Sequence, residues 1–261
     1  MSCYINERES FIEGVKCAIF ENDKKILDIE EEVISKNIPE LSYWYSFKVE
    51  GARIENHERV VLNSKDLTWN YLFAKNVKGA DIKKHSNVVL LSGDPYYNYI
   101  FALDVKGADI KSHGMQVFLS GDPEYNYLFA NNIKDADIKL HEKAVALSEN
   151  ERFINKFMRD ISGADLIFLS NAIIRGGNPY WNYCIAKDYG LNIDKHADVV
   201  YKSLNPEYNY LFVKDVDGAD ISLHSKAIIL SGDEKYIDMF KKEYGVCYKD
   251  YNKRLVKKIN N

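Results

Sequence analysis

The sequence predicts an all-α protein, an α-solenoid of about eight to nine two-helix repeats of 28 residues. The first observation is an internal duplication, because residues 94–121 and 122–149 align without a gap and 16 of their 28 positions are identical. The second is that the same period continues along most of the chain. The third is a helical spacing of apolar residues inside each unit. A fixed period of this length is the signature of a repeat array.

Histidine and proline mark the period. The histidine position recurs every 28 residues, with one step of 27 and one leucine: His57, His85, His113, His141, Leu169, His196 and His224. The prolines keep the same spacing, so units begin near residues 39, 67, 95, 123, 151, 179, 206 and 234. The residue missing between Lys187 and His196 indicates a shortened loop. Residues 11–38 fit one further, degenerate unit.

The unit that begins at Asp94 explains how 28 residues form two helices. Asp94 suits an N-cap and Pro95 the first helical position, so the first helix is predicted to run to about Val105 and to end at Gly107. Asp109 is predicted to cap the second helix, which a Ser-Gly pair closes. One face of the first helix carries the predicted core: Tyr97, Asn98, Phe101, Ala102 and Val105. Two short helices cannot bury enough surface alone, so the units must stack.

The competing architecture is a leucine-rich-repeat horseshoe, since 28 residues lies within the period of that family. Residues 82–90 can be placed on its strand motif. The Asn-x-Leu that should follow the strand is missing, and residues 141–147 (HEKAVAL) are typical of a helix. We divide the chain into an N-terminal cap with a degenerate repeat (1–38), tandem repeats (39–233), and a C-terminal capping repeat with a basic tail (234–261).

Composition excludes several classes of protein. The chain is 46% hydrophobic and 28% charged, which disfavours disorder, and its formal charge of −4 disfavours nucleic-acid binding. We expect no membrane segment, because no apolar run nears membrane-spanning length, and no signal peptide. The cysteines show neither a CxxC pair nor metal-ligand spacing: Cys3, Cys17, Cys184 and Cys247. We therefore expect reduced thiols and a cytoplasmic protein.

The histidine and aspartate columns are predicted to be structural. Equivalent atoms of stacked units lie about 10 Å apart, whereas zinc needs its ligands near 2 Å. Leucine in the histidine position indicates an apolar environment, so packed or hydrogen-bonded histidines are expected and no metal site. The aspartate columns alternate with asparagine at Asn150, Asn178, Asn192 and Asn205, which an N-cap tolerates and a catalytic carboxylate does not.

A column of tyrosines is the candidate binding site. On a helical wheel it lies away from the predicted core, on the side expected to face outward, and it comprises Tyr43, Tyr71, Tyr99, Tyr127, Tyr183 and Tyr210. Tyrosine is favoured at recognition surfaces because it offers area and a hydroxyl at low entropic cost. The alternative is that these rings only join one unit to the next. Both interpretations stay open from the sequence.

The fifth unit departs from the pattern. Asn155 replaces its tyrosine, Glu151 replaces its proline, and Arg152 and Arg159 introduce positive charge. Such a charge change suits an acidic partner group, so both arginines join the candidate site. A unit that has drifted without function is the alternative. No unique catalytic constellation, phosphate loop or cofactor motif is present, so we expect neither an enzyme nor a cofactor.

The unit SGDPEYNYLFAKDVKGADIKxHEKAV resembles short helical repeats of uncharacterised proteins from bacteria, phages and large DNA viruses. Those repeats usually carry leucine in the histidine position. The resemblance covers about 39–233 and implies the solenoid fold together with a binding role.

Three functional hypotheses follow. The leading one is a non-enzymatic scaffold, a monomer or weak dimer, that binds a protein along the tyrosine face. A phage-encoded inhibitor of a host defence protein is one concrete form of it. The second is a single-stranded RNA or DNA reader that stacks bases on tyrosine. Its partial basic stripe comprises Lys75, Lys187 and Lys214 together with Arg152 and Arg159. The third is self-assembly through the solenoid ends.

Overall fold

The computed structural model describes residues 7–20 and 24–245, and every regular element within these ranges is helical. A 3₁₀-helix at Lys24–Ile29 lies between the first two α-helices. The α-helices are α1 Glu7–Phe20, α2 Glu30–Ser35, α3 Pro39–Lys48, α4 Ile54–Ser64, α5 Leu67–Asn76, α6 Ile82–Ser92, α7 Pro95–Asp104, α8 Ile110–Ser120, α9 Pro123–Asn132, α10 Ile138–Leu147, α11 Glu151–Asp160, α12 Leu166–Gly176, α13 Pro179–Tyr189, α14 Ile193–Lys202, α15 Pro206–Asp215, α16 Ile221–Ser231 and α17 Glu234–Tyr244.

From α3 onwards the helices form pairs, in which a first helix packs against the second helix that follows it. The described ranges hold seven complete pairs, from α3–α4 to α15–α16, and α17 begins a further one. First helices also pack on first helices of adjacent repeats, as α7 does on α5 and α9. The predicted α-solenoid of two-helix repeats is confirmed. The horseshoe alternative is wrong, because the described residues form no strand.

The chain divides into two compact units, Met1–His141 and Glu142–Asn261. In the first unit α1 packs on α3, and α2 packs on α3 and α4, so the degenerate N-terminal segment extends the array. One phenylalanine column forms the centre of successive repeats, with Phe73, Phe101 and Phe129 in the first unit and Phe157 and Phe212 in the second. Each of these rings is at most 1% exposed.

The predicted caps explain where the helices begin. The Asp94 carboxylate accepts a hydrogen bond from the Tyr97 N–H at 2.9 Å, and Pro95 follows as the first helical residue. Before it, Gly93 ends α6 with a φ of 67°, a left-handed conformation that glycine adopts without steric cost. Asn192 is the exception to the predicted capping. Its backbone has a φ of 47°, and its amide instead donates to the Ser170 hydroxyl at 3.1 Å.

One boundary differs from the prediction, and the predicted short loop before α14 is present. The first helix of the unit ends at Asp104, with Val105 as an extended C-cap, and Gly107 lies in the following turn with a φ of 88°. The missing residue near position 190 shortens the turn between α13 and α14. This turn begins at Gly190, which has a φ of 63°.

Cys17 and Cys184 are free thiols. Cys3, Cys247 and the basic tail at 248–261 lie outside the described residues.

Candidate functional site

The tyrosine column lies between repeats and not on an outward face. Tyr99, Tyr183 and Tyr210 are buried, and Tyr71 and Tyr127 are half-buried. The expectation that this column faces outward is therefore wrong. The physical reason is that a first helix has neighbours on several sides, namely its own second helix and the first helices of adjacent repeats. The face of a first helix that points away from the core of its own repeat therefore packs against the next repeat.

The hydroxyl groups of four of these tyrosines bond to the following repeat. Tyr71 donates to Asp104, and Tyr99 accepts from the Asn132 amide at 2.7 Å. In the second unit Tyr183 donates to Asp215 and Tyr210 donates to Glu243. The hydrogen bond to Glu243 and then burial raise the pKa of Tyr210 to about 12. These contacts join neighbouring repeats, while the predicted role of the same residues in partner binding stays a prediction.

The lysines of the proposed basic stripe are engaged with the same groups. Lys75 Nζ lies 2.7 Å from Asp104 and 2.8 Å from the Tyr71 hydroxyl, contacts that raise its pKa. Lys187 Nζ lies 3.1 Å from the Tyr183 hydroxyl and 3.4 Å from Asp215. A carboxylate therefore accompanies the positive charge at both places, which weakens the attraction for a nucleic-acid backbone.

The fifth repeat places the two candidate arginines, Arg152 and Arg159, on the surface. Arg159 pairs with the adjacent Asp160 at 2.8 Å, and the Arg152 guanidinium lies 5.8 Å from the centre of the Phe153 ring. Glu151, at the place of a proline, accepts a hydrogen bond from the Asn178 N–H at 3.2 Å. The altered residues thus have local structural partners, and the role of the arginines in binding stays a prediction.

Buried asparagine–histidine pairs are the polar centres of the regular repeats. In each pair the histidine Nδ1 lies 2.7–2.8 Å from the asparagine Oδ1, and all the side chains are fully buried. In three of these repeats the histidine ring also stacks on a phenylalanine, as His113 does on Phe101 with centroids 4.8 Å apart. The pairs are Asn70–His85, Asn98–His113, Asn126–His141, Asn182–His196 and Asn209–His224. The packed, hydrogen-bonded histidines agree with the structural interpretation of this column.

The asparagine fixes the tautomer of its histidine. The Asn98 amide donates to the carbonyl oxygens of Val89 at 3.3 Å and Asp94 at 2.8 Å, so its Oδ1 faces the His113 ring. Because Oδ1 can only accept, the Nδ1 of His113 carries the proton. The Nε2 of the neutral ring is then a lone-pair acceptor. Burial lowers the pKa of His113 to about 4, which keeps the ring neutral at pH 7.

The residue that follows the histidine position of one repeat determines which group contacts the histidine Nε2 of the next repeat. Ser86 donates its hydroxyl to His113 Nε2 at 3.0 Å, and Ser170 donates to His196 Nε2 at 2.9 Å. Glycine and alanine supply no such donor, and the Nε2 atoms of His141 and His224 have no hydrogen-bond partner. We refer to this place, occupied by Ser86, Gly114, Ser170 and Ala197 among others, as the post-histidine position.

The sequence contains a signal for these pairs that is not visible in the asparagine column or the histidine column alone. Asparagine and histidine occur together in five repeats, and in the fifth repeat both are replaced together, by Ile154 and Leu169. Comparing the columns two at a time reveals this joint change. The post-histidine position, in contrast, varies among serine, glutamate, glycine and alanine, and acquires meaning only when the histidine of the next repeat is seen beside it.

A column of exposed leucines at the C-terminal ends of second helices was not predicted from the sequence. In the first unit Leu91 and Leu119 are 88% and 65% exposed, and in the second Leu147 and Leu230 are 65% and 51% exposed. Polar residues occupy the same place in other repeats: Asn63, Arg175 and Lys202. The fold therefore does not require an apolar side chain here. We call Leu91 and Leu119 the leucine edge.

Comparisons with protein-family models, curated proteins and solved structures give no match to this chain. The resemblance to bacterial, phage and viral repeats, and the inhibitor role connected with it, stay predictions. Within 7–20 and 24–245 no helix is both long and apolar enough to cross a membrane.

Proposed function

We propose that this chain is a non-enzymatic repeat scaffold that binds a protein partner through the leucine edge. The observation that carries the proposal is the exposure of Leu91 and Leu119, at the same place in adjacent repeats. Their side chains contribute little to folding, because Asn63 stands at this place in the preceding repeat. Apolar side chains that recur in solvent without a folding role are typical of an interaction site.

The energetics favour a protein over a nucleic acid as the partner. Burying a leucine against an apolar surface stabilises a complex by about 1.5–3 kcal/mol. A nucleic-acid backbone offers no comparable apolar surface, and Lys75 and Lys187 each have a carboxylate beside them. The asparagine and histidine side chains that recur in five repeats form structural hydrogen bonds, which supports a scaffold over an enzyme.

The test compares the wild type with the double variant Leu91→Lys/Leu119→Lys. Wild-type protein is used to isolate partners from cells that carry the gene, and isothermal titration calorimetry then gives Kd for each purified partner. Because two apolar contacts are replaced by hydrated charges, we expect Kd to rise at least about tenfold. Asn63→Lys is the matched control, at the same place in the preceding repeat, and should leave Kd unchanged.

An unchanged Kd for the double variant would contradict the proposal. Sedimentation equilibrium of the protein alone separates the self-assembly hypothesis. If the wild type forms an oligomer that the double variant does not form, the leucine edge joins copies of this chain, and the role in binding another protein is wrong.

A further inference from the structure

A cavity of about 240 Å³ lies in the first unit, between α8 and the first turn of α10. Its inner wall includes buried side chains, and three charged and exposed residues line it as well. The inner residues are Gly114, Phe129 and His141, and the charged residues are Lys111, Asp135 and Asp137. This volume lies below the roughly 300 Å³ of the smallest drug-sized sites, so a ligand would have few heavy atoms.

The inner wall holds an acceptor with no partner. The Asn126 amide donates to two backbone carbonyl oxygens, Val117 and Asp122, so the His141 ring must donate from Nδ1 and present a bare lone pair at Nε2. In the preceding repeat a serine at the post-histidine position meets this lone pair. Here the position is Gly114, and His141 Nε2 is fully buried without a hydrogen-bond partner. A buried polar atom without a partner destabilises the fold, so a donor that reaches it is favoured.

A second change adds charge to the same cavity. Asp135 has a φ of 68°, where five other repeats carry glycine: Gly51, Gly79, Gly107, Gly163 and Gly218. Aspartate adopts the left-handed conformation less readily than glycine but more readily than most other residues, and here its side chain lines the cavity. With Asp137 it gives two carboxylates against the single positive charge of Lys111.

From these groups we infer that the cavity binds a primary ammonium group on a short alkyl chain. His141 Nε2 is not exposed to solvent, so the wall beside Gly114 must open slightly for an ammonium N–H to donate to it. The charge of the ammonium group then complements Asp135 and Asp137, and the Phe129 ring attracts a cation. An anion would meet two carboxylates. An alcohol could donate to Nε2 but would gain nothing from the charges. The ammonium group can belong to a free amine or to a lysine side chain, since both present the same chemistry.

The first experiment uses four probes: n-butylammonium, N-acetyl-lysine methylamide, 1-butanol and butyrate. Titration calorimetry gives each Kd, and long-range ¹H–¹⁵N NMR follows the Nε2 resonance of His141. We expect both ammonium probes to bind and to shift this resonance, 1-butanol to bind at least about tenfold more weakly, and butyrate to have no effect. Equal binding of butanol and butylammonium, or an unmoved His141 resonance, would overturn the inference.

Variants locate the binding. Gly114→Ser restores the serine–histidine arrangement of the preceding repeat and should weaken butylammonium binding at least about tenfold. Asp137→Asn keeps the helix cap but removes a charge, and should weaken it about threefold. Asp109→Asn is the matched control, an N-cap in the preceding repeat, and should change nothing. A Cβ at Gly114 would stand 3.1 Å from the Phe129 ring, so if Gly114→Ser misfolds, the Asp137→Asn and Asp109→Asn pair decides.

The source of the ammonium group follows from the same titrations. Tighter binding of the lysine derivative than of butylammonium would assign the site to lysine side chains, and equal or weaker binding would assign it to free amines. The inference is independent of the proposed protein partner. Leu91→Lys, which lies in the preceding repeat, should leave butylammonium affinity unchanged, so the leucine edge and the cavity can fail separately.

Discussion

The fifth repeat, α11–α12, and the sixth, α13–α14, both form a packed helix pair, but one has an apolar and the other a polar pair of residues at its centre. At the centre of the fifth, Ile154 and Leu169 are fully buried apolar residues. At the same two places the sixth has Asn182 and His196, fully buried and hydrogen bonded at 2.7 Å. Both repeats keep a helix pair, and in both an asparagine caps the first helix. The polar pair is therefore not required for this helix pair to form.

The polar pair of the sixth repeat is stable only when each of its buried polar atoms has a hydrogen-bond partner. Asn182 must place its two amide hydrogens on the Ile173 and Asn178 carbonyl oxygens, and His196 must find a donor for Nε2, which Ser170 provides. A buried network is stable when every member is satisfied and costly when one is missing. The apolar pair has no such requirement, and it cannot respond to pH.

The largest expected effect of this difference is acid sensitivity. Burial lowers the pKa of five histidines, His85, His113, His141, His196 and His224, to about 4 each. The unfolded chain, with ordinary pKa values near 6.5, binds protons more readily than the folded one. Stability is therefore complete above about pH 6.5 and falls progressively as pH drops toward 4, by up to about 3 kcal/mol per histidine.

Chemical denaturation followed by circular dichroism between pH 7.5 and 4 measures this loss. Asn182→Ile/His196→Leu gives the sixth repeat the residues of the fifth, and its free energy of unfolding should fall less steeply with pH. An equal pH dependence in this double variant would contradict the assignment to buried histidines. Nearby aspartates favour the protonated ring but less than burial opposes it: Asp81 at His85, Asp109 at His113, Asp137 at His141 and Asp220 at His224.

The fold was predictable from the sequence because repetition multiplies weak local signals. A single Asp-Pro before an apolar face is a modest indication of a helix start, but the Asp94 motif recurs at Asp122. The environment of a side chain between repeats was not predictable from the helical wheel of one unit. Tyr99 lies away from its own core and is buried by the next repeat. The exposure of Leu91 likewise depends on where neighbouring helices end.

An intermediate effect on stability is expected when only one residue of an asparagine–histidine pair is replaced. His113→Leu leaves the Asn98 Oδ1 and the Ser86 hydroxyl without their partner, so it should destabilise the protein by about 2–3 kcal/mol at pH 7. Asn98→Ile should destabilise similarly, since His113 Nδ1 loses its acceptor. The double variant carries the pair found in the fifth repeat, and we expect it to recover at least about 1 kcal/mol relative to the sum of the single changes.

Urea denaturation of the four proteins gives the coupling free energy. The pair at Asn209 and His224 provides a matched second cycle, because His224 Nε2 has no hydrogen-bond partner even in the wild type. His224→Leu should therefore cost less than His113→Leu. Additive single and double changes in both cycles would show that the two residues do not act as a pair.

The smallest effect concerns the tyrosine position, where the fifth repeat has Asn155 and the sixth has Tyr183. The Tyr183 hydroxyl donates to Asp215 of the following repeat and accepts from Lys187. Tyr183→Phe keeps the ring and removes only these bonds, so we expect a loss of about 0.5–1.5 kcal/mol in the free energy of unfolding. Tyr96→Phe, on a ring that is 45% exposed, is the surface control and should stay within about 0.5 kcal/mol of the wild type.

If Tyr183→Phe has no effect on stability but weakens binding of a partner, the tyrosine column serves recognition, as the sequence first indicated. If it lowers stability and leaves binding unchanged, its hydroxyls act as contacts between repeats, and the fifth repeat lacks one of them.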